Sequence, residues 1–257
     1  MCPTAATAER LRPRESAFDH DEAMRLASTE YQRVVELFEE LTPADWTAAT
    51  ECPGWDVRAM AGHMLGMTQM AASLREMASQ QRAGNKRAAA QGCLPLDGLT
   101  AIQVDRNAGL STDELVAAMR ERGPAAAKAR ARTPGFIRHR TLPGEQRVGE
   151  VDEPWTLGFL LDTILTRDPF LHRYDIARAT GRPMRLEADH EGRIVADVVD
   201  EWADRHGQPY VLELTGPAGG SWREGDAEPI RMDAMEFCRT LSGRAPGQGL
   251  LAVAVPF

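Results

Sequence analysis

Cysteine is scarce in this chain and stands in no paired pattern: Cys2, Cys52, Cys93 and Cys238 are the 4 thiols among 257 residues, with no Cys-x-x-Cys. That spacing supplies neither a disulfide framework nor a zinc-thiolate site, and it fits reduced thiols in a cytoplasmic protein. A buried structural thiol is the ordinary reading of each, a nucleophile the alternative. A surplus of positive charge is missing too. With 30 Lys and Arg against 38 Asp and Glu the net charge is -8, which argues against a nucleic-acid or anionic-membrane partner. No apolar run approaches the roughly 20 residues of a membrane span. Met1 to Ser16 is rich in Ala, Arg and Pro but has no apolar segment of a secretory signal, so residues 1–17 read as a flexible tail. The Gly216 to Gly220 run has no Lys-Ser/Thr after it and no βαβ setting, which makes it a hairpin turn rather than a phosphate loop.

Helix-forming pattern, by contrast, is plentiful. Phe18 to Leu41 carries Met24, Tyr31, Val34, Leu37, Phe38 and Leu41 close to the helical period, and Thr42-Pro43 breaks it. Asp56 is placed to cap a helix whose stripe is Val57, Met60, Met64, Met67, Ala71 and Leu74. A stretch rich in Gln, Ala and Arg follows from Ser79 to Gly92, then a shorter helix containing Ile102 to Asn107. Ser111-Thr-Asp-Glu114 is a capping box opening a helix through Met119, and Thr133 to Glu153 is irregular. Trp155 to Thr180 reads as one long helix ended by Gly181-Arg-Pro183, with Pro169 expected to kink it. Beyond it come a helix over Asp189–His206, strands near Tyr210–Thr215, Ser221–Arg223 and Pro229–Met232, a helix near Ala234–Leu241 and a last strand, Leu250–Val255. The expected fold class is a two-domain α+β chain: a helical bundle over residues 18–185 and a small α+β domain over 186–257.

Three side chains on this frame carry chemistry. Asp168 and His172 stand four residues apart, so a helix stacks them on one face. His63 lies three residues after Met60 and four before Met67, which turns it toward the interior of an earlier helix. Two imidazoles and a carboxylate from facing helices make a three-donor site for a divalent metal such as zinc, with a position left open for water or substrate. A hydrogen-bonded core histidine and a surface ion pair are the competing readings of the same spacing.

The surrounding segments sharpen this. Cys52-Pro-Gly-Trp-Asp-Val-Arg-Ala-Met-Ala-Gly-His63 resembles the Pro-Gly-Trp-x-Val segment, ending in a His, of the mycothiol-dependent maleylpyruvate isomerase family. Thr166 to Pro183, with Asp168, His172-Arg-Tyr-Asp175-Ile-Ala and a terminal Gly-Arg-Pro, resembles that family's second ligand segment, and order and separation match. The resemblance implies a DinB-like four-helix bundle followed by a C-terminal α+β domain related to sterol-carrier proteins. It implies that His63, Asp168 and His172 hold a divalent metal, most often zinc, and that a thiol cosubstrate, typically mycothiol, binds at the open position. The isomerase itself has a glutamate where this chain has Asp168. An arginine of the C-terminal domain is implied for the substrate's carboxylates; Arg244 is the nearest match and Arg239 the alternative. Asn107 falls where members often have an Asn facing the pocket, and is expected to touch substrate or cosubstrate. Asp175 is expected to accept a hydrogen bond from a ligand histidine or from Arg173, or to pair with Arg178. Trp55 is expected to anchor the core, a substrate platform being the alternative, and Gly62 to permit close helix packing.

On these grounds the leading expectation is a metal-dependent S-transferase that joins mycothiol to a small electrophile. A maleylpyruvate-type cis-trans isomerase is the alternative, and a non-catalytic metal- or ligand-binding regulatory module the reading from another class. The expected partners are the thiol and the electrophile, with no nucleic acid or membrane, in a monomer or homodimer.

Overall fold

A computed structural model describes residues 12–257. Cys2 and most of the expected tail lie outside the described residues. The described part of that tail is tied down: Arg14 forms a parallel bridge with Trp155, and Ser16 Oγ shares a 2.9 Å hydrogen bond with Thr163 Oγ1.

Local capping chemistry sets the helix starts. α1 (His20–Glu40) begins at Asp19, whose carboxylate accepts from the Asp21 and Glu22 amides. α2 (Val57–Ala72) is capped by Asp56 and α3 (Leu74–Gln91) by Ser73, and α4 (Pro95–Asn107) opens on a proline. The Ser111/Glu114 box starts α5 (Thr112–Ala131). Each cap occupies amides that the first helical turn leaves without partners. The Gln/Ala/Arg stretch is therefore the body of α3, and α5 runs well beyond Met119 with Pro124 inside it. The region read as irregular holds one helical turn, α6 (Gly135–Arg138), and a hairpin of β1 (Gln146–Val148) and β2 (Val151–Glu153).

The long helix expected from Trp155 is not uniform. Phe159–Ile164 forms a π-helical turn, and α7 (Leu165–Thr180) continues from it with Pro169 inside. The irregularity thus lies N-terminal to the proline. α1, α5, α2 and α7 pack in a ring in that order, α7 closing on α1, while α3 and α4 lie outside α2. This is the expected four-helix bundle, filled by Val34, Phe38, Met60, Met64, Met119 and Ile176.

A second π turn, Ala188–Gly192, leads into α8 (Arg193–His206), which Gly207 ends at φ +59°. β3 (Tyr210–Thr215) is the centre of a three-stranded sheet, antiparallel to β4 (Gly220–Glu224) and parallel to β5 (Pro229–Asp233); α9 (Ala234–Leu241) follows. The last strand expected over Leu250–Val255 does not form. Gly249–Ala252 is a 3-10 turn, Trp202 Nε1 donates to the Leu250 carbonyl, and the Val255 amide donates to Leu241. Helices α8 and α9, not a sheet edge, take up these backbone groups. One apolar cluster joins Phe18, Leu26 and Phe170 to Val198, Trp202 and Phe237, so the C-terminal part shares a core with α1 and α7. That packing brings α9 and its following loop beside α7. Among the described residues no helix is long and apolar enough to cross a membrane.

Candidate metal centre

Because α2 and α7 are neighbours in the ring, His63 faces Asp168 and His172 across one seam. His63 Nε2 lies 3.3 Å from Asp168 Oδ1, and His172 Nε2 lies 3.6 Å from the same oxygen. The three candidate ligand atoms are all within 4.8 Å of one another, and both histidines are buried. The structure brings together the three residues that the sequence singled out.

The remaining ring nitrogens are engaged. His63 Nδ1 sits 2.8 Å from Gln103 Oε1, and His172 Nδ1 sits 2.9 Å from Asp175 Oδ2. Each imidazole therefore turns Nε2 toward Asp168, as metal-binding histidines do when an outer partner holds the other nitrogen. Asp168 Oδ2 is buried with no hydrogen-bond partner. A buried oxygen left in that state is costly, so the donor set and its orphaned atom fit a divalent cation.

The electrostatics agree. Burial works against charge on Asp168, yet His63 and His172 beside it hold the carboxyl far below the usual carboxylate range. Burial also opposes charging of His172, but Asp168, helped by Asp175, raises that imidazole well above its ordinary value. The centre of the cluster favours positive charge.

Arg244, in the loop after α9, grips both oxygens of Asp175, with Nε at 2.7 Å and Nη2 at 2.8 Å. It stands behind His172 rather than among the donors. Cys52 Sγ closes the same corner, 4.0 Å from Asp175 Oδ2 and 3.9 Å from Arg244 Nη2. Arg239 is committed to Glu51 through Nε and Nη2, and Arg178 bonds Glu236 rather than Asp175. Asn107 departs from expectation. Its Nδ2 donates to the Gly62 and Gln103 carbonyls and its Oδ1 accepts from Gln69, so the amide ties α4 to α2 instead of facing the donors. Trp55 does more than anchor the core: its ring centroid lies 5.1 Å from that of His63 and 6.3 Å from that of His172, walling one side of the site. Gly62 is not where close helix packing is enforced: a Cβ there would meet the Asn107 Cβ at 3.5 Å, an ordinary contact, whereas one on Gly66 would sit 2.5 Å from the Gln103 Cβ.

Gln103 was not singled out by the sequence reading, although Leu99, Gln103 and Asn107 recur every four residues and are all buried. Amides on a stripe begun by a leucine are the signal that could have found it. A second group of carboxylates and imidazole, Glu30, His190 and Glu191, already surrounds a cation: the Arg173 guanidinium bonds both oxygens of Glu30 and one of Glu191.

Fold and site together define a class, a DinB-like helical bundle that presents two histidines and a carboxylate and carries an α+β C-terminal part. Residues 27–177 match the family described as the mycothiol maleylpyruvate isomerase N-terminal domain, and the chain belongs to the mycothiol-dependent maleylpyruvate isomerase family. Two crystal structures of the mycothiol-dependent maleylpyruvate isomerase share the fold. One, of a histidine-to-alanine mutant, is 12% identical with a TM-score of 0.56; it covers 89% of this chain and 90% of its own. The other is 13% identical with a TM-score of 0.53 over the same shares. No curated protein matches the chain.

Proposed function

We propose that this protein is a metal-dependent, thiol-using cis-trans isomerase of the maleylpyruvate type, with His63, Asp168 and His172 as metal ligands. The observation that carries the reading is the convergence of two outer-held, buried imidazoles on a partly buried carboxylate whose Oδ2 is buried and unpartnered. A divalent metal bound there, zinc first among candidates, would keep the cosubstrate thiol as thiolate near neutral pH. Gln103 and Asp175 aim the two imidazoles, and Trp55 shields one side from water. Arg244 stays on Asp175 through Nε and Nη2, and its Nη1 makes no hydrogen bond among the described residues, leaving it able to take a substrate carboxylate. In the reaction the thiolate sulfur adds to an alkene carbon conjugated with a ketone, and the electron pair moves toward the ketone oxygen. The former double bond rotates. The sulfur then departs, the alkene re-forms as the trans isomer, and the thiol is regenerated.

A second reading, the S-transferase, is favoured by one specific observation. Both arginines suited to a diacid already hold carboxylates, Arg244 on Asp175 and Arg239 on Glu51. A transferase would form the S–C bond and keep it, with a leaving group expelled or a proton taken up at the neighbouring carbon.

The test is zinc uptake by wild type, His63→Ala and His172→Ala, followed by mixing with mycothiol and maleylpyruvate while recording product geometry and free thiol. Trans product with thiol conserved supports the isomerase. Stoichiometric thiol loss selects the transferase, and zinc uptake with neither reaction selects a binding module. A wild type that takes up no zinc overturns the site.

A further inference from the structure

We infer, resting on the metal reading proposed above, that Gln80 and Gln103 form a buried amide relay that fixes which nitrogen of His63 carries the proton, and thereby sets the metal affinity of the site. The relay starts at an atom with one possible role. Gln80 Nε2 lies 3.0 Å from the Gly66 carbonyl oxygen and 3.1 Å from Glu76 Oε1. A carbonyl can only accept, so the NH2 of Gln80 faces α2 and its Oε1 faces α4. Gln103 Nε2 is 2.9 Å from that Oε1 and must donate to it. Its second proton faces Met67 Sδ at 3.1 Å, a weak acceptor. Gln103 is thereby left presenting Oε1 to His63 Nδ1 at 2.8 Å. Nδ1 therefore bears the hydrogen, and the lone pair of Nε2 points at Asp168.

The opposite tautomer would suit a metal-free protein better, because its Nε2 proton would bond Asp168 Oδ1. It would also set the Nδ1 lone pair against Gln103 Oε1. The relay thus holds the ring in the form that a cation needs and a lone carboxylate does not. Both glutamines are fully buried, so no water can substitute for either amide. The helices approach through glycines: a Cβ on Gly66 would sit 2.5 Å from Gln103 Cβ, one on Gly84 2.8 Å from Leu99 Cα, and one on Gly98 2.3 Å from the Gly84 oxygen. Only that closeness lets two short amides span α3, α4 and α2.

The test reads the proton directly. Long-range 15N–1H spectra of metal-free protein, taken where the His63 ring is neutral, are expected to show Nδ1–H in wild type. Gln80→Met and Gln103→Met should move the ring toward Nε2–H and weaken zinc binding, measured by chelator competition, by about 10-fold or more. Gln103→Glu, which keeps an acceptor facing Nδ1, should retain the wild-type tautomer and most of the zinc affinity. A merely structural role for the glutamines would lower stability and leave the tautomer alone. Nε2–H in wild type overturns the relay, as does a folded Gln80→Met with unchanged tautomer and affinity. Should Gln80→Met not fold, the wild-type tautomer still decides the matter. A wild type with the Nδ1–H ring but no zinc uptake would sink the metal reading and leave the relay standing as a tautomer lock without the affinity role.

Discussion

Arg130 Nη1 donates at 3.1 Å to the carbonyl of Leu165, the acceptor whose ordinary helical donor Pro169 cannot supply. The same buried guanidinium reaches the Tyr31 hydroxyl at 3.1 Å and Thr166 Oγ1 at 2.7 Å, joining α5 to α1 and α7. This is how a proline stands beside Asp168 without ending α7. Arg130→Met should destabilise the protein by about 3 kcal/mol, since it orphans buried acceptors. In a Pro169→Ala background, where residue 169 regains its amide, that cost should fall by roughly 1 kcal/mol. Urea unfolding of the four proteins measures the coupling, and strict additivity would refute it.

Zinc affinity should depend steeply on pH. His172 is raised well above its ordinary value despite its burial, chiefly by Asp168. A folded value above the unfolded one means that the protonated ring stabilises metal-free protein at low pH. That contribution is lost as pH rises through the raised folded value. Metal must displace this proton, so affinity should climb about tenfold per pH unit below that value and flatten above it. Asp168, held far below the usual range, adds nothing to the slope near neutrality. Chelator competition across the neutral range checks this, and a flat profile would refute a proton held on His172 against the metal.

Acid should unlock the contact between α1, α7 and the C-terminal part. Glu30 bonds Arg173 at 2.5 and 3.0 Å and His190 Nε2 at 2.8 Å. Burial pushes its carboxyl up, but Arg173, followed by His190, brings it below the ordinary glutamate value. The stability gained is present above the unfolded value and lost as pH falls through the depressed folded one. Glu30→Gln leaves Arg173 short of a buried partner and should cost roughly 3–5 kcal/mol near neutral pH. It should also flatten the acid limb of stability against pH. Melting curves over that limb are the measurement; an unchanged limb would assign acid sensitivity elsewhere.

The sequence made some elements readable for physical reasons. Asp19, Asp56 and Ser111 announce helix starts because capping is local chemistry. α3 gave no such periodicity, since Gln80, Gly84 and Ala88 are its buried residues and carry no apolar stripe. Leu250–Val255 has strand-like composition, but its fate depended on Trp202 and Leu241, distant in sequence. At the site, His63, Asp168 and His172 were readable from helical spacing and from the segments around them. Their outer partners were only partly so. Asn107 and Gln103 lie one turn apart on one face of α4, and only packing against Gly62 and Gly66 decides which amide meets His63. Asp175 was readable beside His172, whereas the grip of Arg244 on it needed the C-terminal part in place.

That grip gives Asp175 and Arg244 separable jobs. Asp175 Oδ2 takes both the His172 Nδ1 hydrogen and Arg244 Nη2. Asp175→Asn should lower zinc affinity by about 10- to 100-fold, because it disturbs the imidazole that binds metal. Arg244→Leu leaves the Asp175–His172 bond intact, so zinc affinity should stay within a few-fold, roughly. If Nη1 meets a substrate carboxylate, the same variant should raise KM for a diacid by roughly 30-fold, the worth of one hydrogen bond to a charged group, and spare a monoacid. If Arg244 acts only through Asp175, the order reverses: zinc affinity falls and the two acids suffer alike. Measuring metal affinity beside KM for a matched acid pair separates a hand on the substrate from a brace behind His172.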